Sequence, residues 1–169
     1  MIQAFPHPAL LYAAQPLPGV APGARPAYAA QSAAAEKLAQ RLGAAAPGGP
    51  ISKAHARGCV AAAAATEGVL GIDLEYRQPG RDIGAIARWL MGAPARDELS
   101  AYRVFTYREA YFKATGDWPE ARVLRFVAES DWRSFQTPDG LNVLFEREGE
   151  AFVLTLVWSA SCGASRLAL

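Results

Sequence analysis

The sequence has only two cysteines, Cys59 and Cys162, and they lack the spacing of a thiolate metal site or a redox pair. Cys59 opens an apolar run, which is typical of an inert thiol in a protein core. The sequence also lacks an excess of charge of either sign, because 17 basic and 16 acidic residues leave a net charge of +1. This balance excludes the broad basic surface of a nucleic-acid-binding protein.

No apolar segment approaches the length of a membrane span, and the first residues lack a basic stretch followed by a long apolar core. We therefore expect a cytoplasmic protein without a membrane partner. A length of 169 residues allows a substantial core, and it fits one domain or two small, closely packed halves.

What is present is a strand-like segment, residues 69–76, that carries two acids. Alternation places its large apolar side chains on one face and Gly71, Asp73 and Glu75 on the other. The glycine would let a ligand come close to the carboxylates. Taken alone, such acids are more often the solvated face of a half-exposed strand.

A helical segment follows, in which Glu109 and Lys113 are spaced i and i+4 and are therefore neighbours on its surface. Gly116 is a natural stop for this helix, and Asp97 or Ser100 is suited to cap its start. An acid–lysine pair of this kind is usually a surface ion pair. Combined with the strand, it makes a set of three carboxylates and one ammonium that suits Mg²⁺ and a phosphorylated ligand.

A third segment, ISKAHARG at residues 51–58, precedes a run of small apolar residues. It stands before GIDLE at residues 71–75 and FTYREAYFK at residues 105–113. This combination resembles the 4′-phosphopantetheinyl transferases, in the larger monomeric type that activates peptide and polyketide synthetases such as surfactin synthetase. The resemblance implies transfer of 4′-phosphopantetheine from coenzyme A to a serine of an apo acyl or peptidyl carrier protein, with release of 3′,5′-ADP.

The resemblance also implies the architecture. We expect an α+β fold of two pseudo-symmetric halves, each a small antiparallel sheet packed on a long helix, with the first half abbreviated. The halves are predicted to cover residues 1–66 and 67–169, with the metal and catalytic segments in the second.

The same resemblance implies the roles of the acids and the lysine. Asp73, Glu75 and Glu109 would hold Mg²⁺, with Mn²⁺ as the alternative metal. Glu109 would also act as the base for the serine hydroxyl, and Lys113 would stabilise or protonate the departing nucleotide.

Coenzyme A contacts are implied for five basic residues. His55 would bind the 3′-phosphate, with Lys53 and Arg57 beside it and Lys113 near the pyrophosphate. Arg25, in the N-terminal arm, is a further phosphate ligand.

The chain departs from the family pattern at three positions. Ala54 and Ala56 replace the serines that flank the histidine, and Arg108 stands where a lysine is usual, which keeps the charge but changes the geometry. Two alternatives therefore stay open. One is a degenerate, non-catalytic binder of coenzyme A or of a carrier protein, and the other is a Mg²⁺-dependent hydrolase of a nucleotide pyrophosphate.

The expected partner is acidic, so an arginine-rich and apolar face would suit it. The predicted helix at residues 81–91 offers such a face, formed by Arg81, Arg88, Trp89, Leu90 and Met91. For Trp89 itself, a place in the core is slightly favoured over exposure on this face. We expect a monomer that serves secondary metabolism.

The remaining pattern completes an α+β chain. Residues 1–28 are predicted to form an extended arm, and Trp132 and Phe135 are predicted core aromatics. Further helices are predicted at 31–42 and 81–91, and further strands at 59–66, 122–128, 141–147 and 151–159.

Overall fold

A computed structural model describes residues 10–149, 151–159 and 164–166 of the chain. Within these residues the elements are, in chain order, β1 Leu10–Pro16, α1 Tyr28–Ala45, β2 Ile51–Ala56, β3 Cys59–Ala65, β4 Leu70–Tyr76, α2 Ile83–Met91, α3 Glu98–Thr115, α4 Ala121–Glu129, β5 Ser134–Gln136, β6 Asn142–Glu148, β7 Phe152–Trp158 and β8 Ala164–Arg166.

The strands form two sheets that face each other. Sheet A has the order β2-β3-β1-β8 and is antiparallel except for the parallel pair of β1 with β8. Sheet B has the order β4-β7-β6-β5 and is antiparallel. One apolar core lies between the sheets, a second between sheet A and α1, and a third between sheet B and α2, α3 and α4. The prediction of an α+β fold with two halves is confirmed.

Strand β3 shows how burial decides local structure in the first half. Ala61 to Ala65 are each exposed by 1% or less, because one face of the strand packs on α1 and the other faces sheet B. Alanine favours helix by intrinsic propensity, yet the two-sided burial selects a strand here, as predicted for residues 59–66.

Helix α3 begins and ends where the sequence indicates. The Asp97 carboxylate accepts a hydrogen bond from the backbone N–H of Ser100 at 2.7 Å, which caps the first turn. Gly116 ends the helix with φ of 78°, a left-handed conformation that glycine adopts without strain.

The predicted strand at residues 122–128 is wrong, because this segment is the helix α4. Its buried side chains are Val123, Leu124, Val127 and Ala128. They repeat at three to four residues, which is the period of one helix face and not the alternation of a strand.

Two further predictions need correction. Trp132 is 72% exposed and is not a core residue, whereas Phe135 packs against the helix-facing core of sheet B. The predicted N-terminal arm contains strand β1, which pairs with β3; residues 1–9 lie outside the described part. Within that part, none of the helices has both the length and the apolar character that crossing a membrane would require.

Candidate functional site

The two acid-bearing segments meet because α3 packs directly on β4. Gly71 lies at the point of contact, where a Cβ atom would come within 1.9 Å of the carbonyl oxygen of Ala110. The glycine therefore allows the helix to approach the strand, which corrects the interpretation that it admits a ligand. This approach brings the acid-bearing face of β4 against Lys113 of α3.

Asp73 forms the more buried half of an ion pair. Its side chain is 11% exposed, and its Oδ1 accepts a hydrogen bond from Lys113 Nζ at 2.8 Å. The other oxygen, Oδ2, is buried and has no hydrogen-bond partner among the described residues. Because an unpaired buried polar atom is unfavourable, Asp73 Oδ2 is the atom of this site best suited to receive a cation.

Side chains from both halves close the free edge of β4. The backbone N–H of Ile72 donates to Ser52 Oγ of β2 at 3.0 Å, and its carbonyl accepts from Lys113 Nζ at 2.9 Å. An edge strand normally leaves such groups open. The two side chains therefore hold β2 and α3 beside the strand that carries the acids.

The other two acids each pair with an arginine. Glu75 accepts a hydrogen bond from Arg81 at 2.8 Å, and Glu109 accepts one from Arg108 at 2.6 Å. The guanidinium of Arg108 also lies 3.6 Å from the centre of the Trp118 ring. Trp118 in turn stacks on Phe112 of α3, with ring centres 4.2 Å apart. An exposed layer of two aromatic rings thus holds the arginine next to Glu109.

Asp73, Glu75, Glu109 and Lys113 interact through their charges. We call these four residues the acid–lysine cluster. Burial raises the pKa of Asp73 to about 6 against the lowering effect of Lys113, and the charges of Glu75 and Glu109 raise it further. Burial also raises the pKa of Glu75, against the lowering effect of Arg81. The cluster is a place where added positive charge would be favourable.

The residues of the cluster fit a divalent cation at Asp73. Within the described ranges, no three His, Cys, Asp or Glu side chains are arranged as a metal site, and each acid of the cluster holds a cationic side chain. Carboxylate oxygens are nevertheless the ligands that Mg²⁺ prefers, and Asp73 Oδ2 has no competing donor. Glu75 and Glu109 could serve as further ligands once Arg81 and Arg108 release them.

His55 lies on β2 at the margin of the cluster. The ring of Tyr28 packs edge-on against it, with centres 5.0 Å apart. Burial lowers the pKa of His55, and the positive charges of Lys113 and Lys53 lower it further. The influence of Lys113 shows that the imidazole lies within electrostatic range of the cluster.

The other predicted phosphate ligands have different neighbours. Lys53 forms an ion pair with Glu36 of α1, and Arg57, in a left-handed turn with φ of 44°, donates a hydrogen bond to Gln78. Arg25 is exposed in the loop before α1, and no hydrogen bond or ion pair with another described residue involves it. The described contacts connect none of these three with the acid–lysine cluster.

The alanines beside His55 belong to the core. Ala54 is buried between the two sheets, and Ala56 packs against the same core. Alternation along β2 turns His55 to the opposite face, toward α1. A hydroxyl at either alanine position would therefore face apolar side chains and not the imidazole.

Sequence reasoning missed three residues that shape the site. Ser52 was part of the histidine segment, but nothing in its spacing indicated a bond to β4. Arg81 was assigned to a docking face and instead pairs with Glu75. Trp118 follows the end of α3 and folds back over Arg108. Of these three residues, only Trp118 had a signal in the sequence, because an aromatic residue just after the end of a helix can fold back onto it.

The predicted docking face is only partly present. Trp89 is 79% exposed, so the favoured prediction of a core position is wrong, and Arg88 is exposed beside it. Met91 is 1% exposed and belongs to the core. The exposed part of this face is therefore Arg88 and Trp89, next to half-buried Leu90.

In comparisons with known proteins, no family model matches the chain and no curated protein sequence matches it.

Proposed function

We propose that the protein transfers the 4′-phosphopantetheine group of coenzyme A to a serine of an apo acyl or peptidyl carrier protein, releasing 3′,5′-ADP. The observation that carries the proposal is Asp73, paired with Lys113 through one oxygen and unpaired at the other. Glu75 and Glu109 lie within electrostatic range of it. Hard oxygen ligands next to an ammonium suit a substrate with a pyrophosphate.

In this proposal the substrate binds across the margin between the halves. Asp73, Glu75 and Glu109 would hold Mg²⁺ or Mn²⁺, and the bound cation would neutralise the charge of the pyrophosphate. His55 binds the 3′-phosphate, and Arg57 is a further phosphate ligand. Lys53 and Arg25 contribute at the periphery, since their side chains are partly or fully exposed.

The chain's own residues then manage the proton and the leaving group. Glu109 accepts the proton of the carrier serine while the serine oxygen forms a new bond to phosphorus. The pyrophosphate P–O bond breaks, and 3′,5′-ADP leaves with the electron pair. Lys113 offsets the charge that develops on this leaving group.

The carrier protein is proposed to dock on Arg88 and Trp89. Tryptophan and arginine are both enriched among the residues that contribute most to binding at interfaces, and the guanidinium suits an acidic partner. The proposal includes a monomer that works in the cytoplasm on carriers of secondary metabolism.

Incubation with coenzyme A, Mg²⁺ and a panel of apo carrier proteins tests the proposal, with intact mass spectrometry of the carriers. We expect one carrier to gain a phosphopantetheinyl group. Lys113→Met and Glu109→Gln should slow the transfer by about 100-fold or more. The matched controls are Lys37→Met, exposed on α1, and Glu98→Gln, in the first turn of α3; both should transfer at the wild-type rate.

The pairing of Glu75 and Glu109 with arginines favours one rival, a binder that does not react. A coenzyme A-dependent thermal shift without mass gain on any carrier would support that rival. Release of 3′,5′-ADP in the absence of a carrier would instead support a hydrolase. Either result would overturn the transferase proposal.

A further inference from the structure

A second group of charged side chains lines a cavity at the other end of α3. The cavity has a volume of about 290 Å³ and is lined by Arg103, Arg133, Arg147 and Glu146 together with apolar side chains. It lies where β6 continues past the last residue that β5 pairs with, Leu144. None of these residues belongs to the acid–lysine cluster.

Arg103 is held in place at this cavity by two contacts. Its Nη1 donates a hydrogen bond to the carbonyl oxygen of Ser130 at 3.0 Å, and its guanidinium lies 5.1 Å from the centre of the Phe145 ring. The side chain is partly buried, and this burial lowers the pKa of Arg103. The guanidinium is therefore positioned and partly desolvated without help from a ligand.

The nearby carboxylates are engaged by other cations. Glu146 pairs with Arg133, and Arg96 pairs with both Asp97 and Asp131. Asp131 and Asp97 act on Arg103 by charge at longer range, but no carboxylate of the described residues forms an ion pair with Arg103. An oxyanion in the cavity would give Arg103 the direct ion pair that the described carboxylates do not supply.

We propose that this cavity binds a small organic oxyanion, a carboxylate or a phosphate monoester on a short apolar stem. The planar guanidinium of Arg103 suits two-point recognition of either group, and Arg147 adds positive charge at the cavity. Leu99, Phe145 and Val153 supply apolar surface for the stem. A volume of about 290 Å³ restricts the ligand to a small molecule. This site is independent of the proposed transferase function.

A purely structural role of Arg103 is the competing explanation. Its hydrogen bond to Ser130 satisfies a carbonyl just beyond the C-terminus of α4, as arginines near helix ends often do. That role would lower stability on mutation but would give no ligand affinity. The test must therefore measure binding.

Isothermal titration of the full chain at low salt, with phenyl phosphate and with benzoate, provides that measurement. We expect saturable binding of at least one probe and a loss of affinity of about 10- to 100-fold in Arg103→Met. The preferred probe identifies the oxyanion. Arg122→Met, at an exposed arginine of α4 paired with Glu120, is the matched control and should bind as the wild type does.

Two results would overturn the proposal. One is no saturable binding of either probe to the wild type, and the other is binding that Lys113→Met abolishes, which would place the probe at the acid–lysine cluster. If Arg103→Met does not fold, Arg147→Glu, at an exposed position, replaces it. Reversal of charge there should weaken binding, and unchanged affinity would contradict the proposed site.

Discussion

Two strands that line the central core, β3 of sheet A and β7 of sheet B, carry side chains of different size. Five consecutive alanines of β3 are buried, whereas β7 contributes Leu154, Leu156 and Trp158 to the same core. Small side chains let the first sheet lie close to both of its neighbours, while large ones fill the space from the other side. The first half is therefore an apolar support with little polar interior.

The buried polar residues show the same contrast. Only Gln31 and Ser52 are buried polar residues of the first half in the described chain. The second half buries Asp73 and Glu146 as well as several hydroxyl side chains. Thr106 of α3 and Thr155 of β7, for example, share a hydrogen bond of 2.5 Å that ties the helix to the sheet. Most buried polar residues of the described chain therefore belong to the second half, as do the four residues of the acid–lysine cluster.

The largest expected difference between the two halves is in the free energy of unfolding lost when a core side chain is truncated, once in β7 and once in β3. Leu156→Ala should lower the free energy of unfolding by about 4 kcal/mol, because it leaves a cavity in the central core. Ala63→Gly, equally buried in the facing sheet, should cost only about 1 kcal/mol. Urea denaturation measures both, and equal losses would contradict the size contrast between the sheets.

Added methyl groups probe the close contacts of each half. In Gly71→Ala the new Cβ would lie 1.9 Å from the carbonyl oxygen of Ala110, so α3 would have to move away from β4. This displacement should lower the free energy of unfolding by about 3 kcal/mol. Gly49→Ala meets Ala65 O at the same distance, but Gly49 lies in a loop that can shift, so a smaller loss is expected. Gly84→Ala is the control, since its new Cβ would lie 3.7 Å from Asp82 Oδ1, an ordinary van der Waals contact. Thermal unfolding measures the stability of the three variants, and equal stability of all three would contradict this ranking.

The free energy of unfolding should depend on pH because Asp73, the buried acid of β4, has a raised pKa in the folded chain. Burial raises the pKa of Asp73 from 3.8 to about 6, so between these values the folded chain binds more protons than the unfolded chain. Stability should therefore fall as pH rises through this window and stay lower above it, by about 2–3 kcal/mol. In metal-free buffer, Asp73→Asn should remove this part of the dependence. Asp139→Asn, at an exposed position, is the matched control.

The smallest expected effect concerns exposed aromatic contacts in the two halves. Trp118→Ala removes the stack on Phe112 and the contact with Arg108, and it should lower the free energy of unfolding by about 1 kcal/mol. Tyr28→Ala, which removes an edge contact of a ring that is 74% exposed, should have less effect. Urea titration that ranks them in the opposite order would show that the Trp118 stack does not stabilise the fold.

Much of the candidate site could be predicted because its residues lie on regular elements. Alternation put Asp73 and Glu75 on one face of a strand, and helical spacing put Glu109 beside Lys113. Residues 122–128 were misassigned because their mixed pattern fits either period until neighbours are known. The role of Gly71 was misassigned because the sequence does not show which distant segment packs against the glycine, and that segment is α3.

The sequence by itself determined the faces of β4 and α3, the end of α3 at Gly116 with a start at Asp97 or Ser100, and which residue types could hold a cation. These features follow from local backbone geometry, which spacing encodes. Only the tertiary structure decided that Ser52 closes the edge of β4, and that Asp73 keeps one oxygen unpaired. These contacts join residues that are far apart in the sequence, and they form only when the two sheets and the helices pack together.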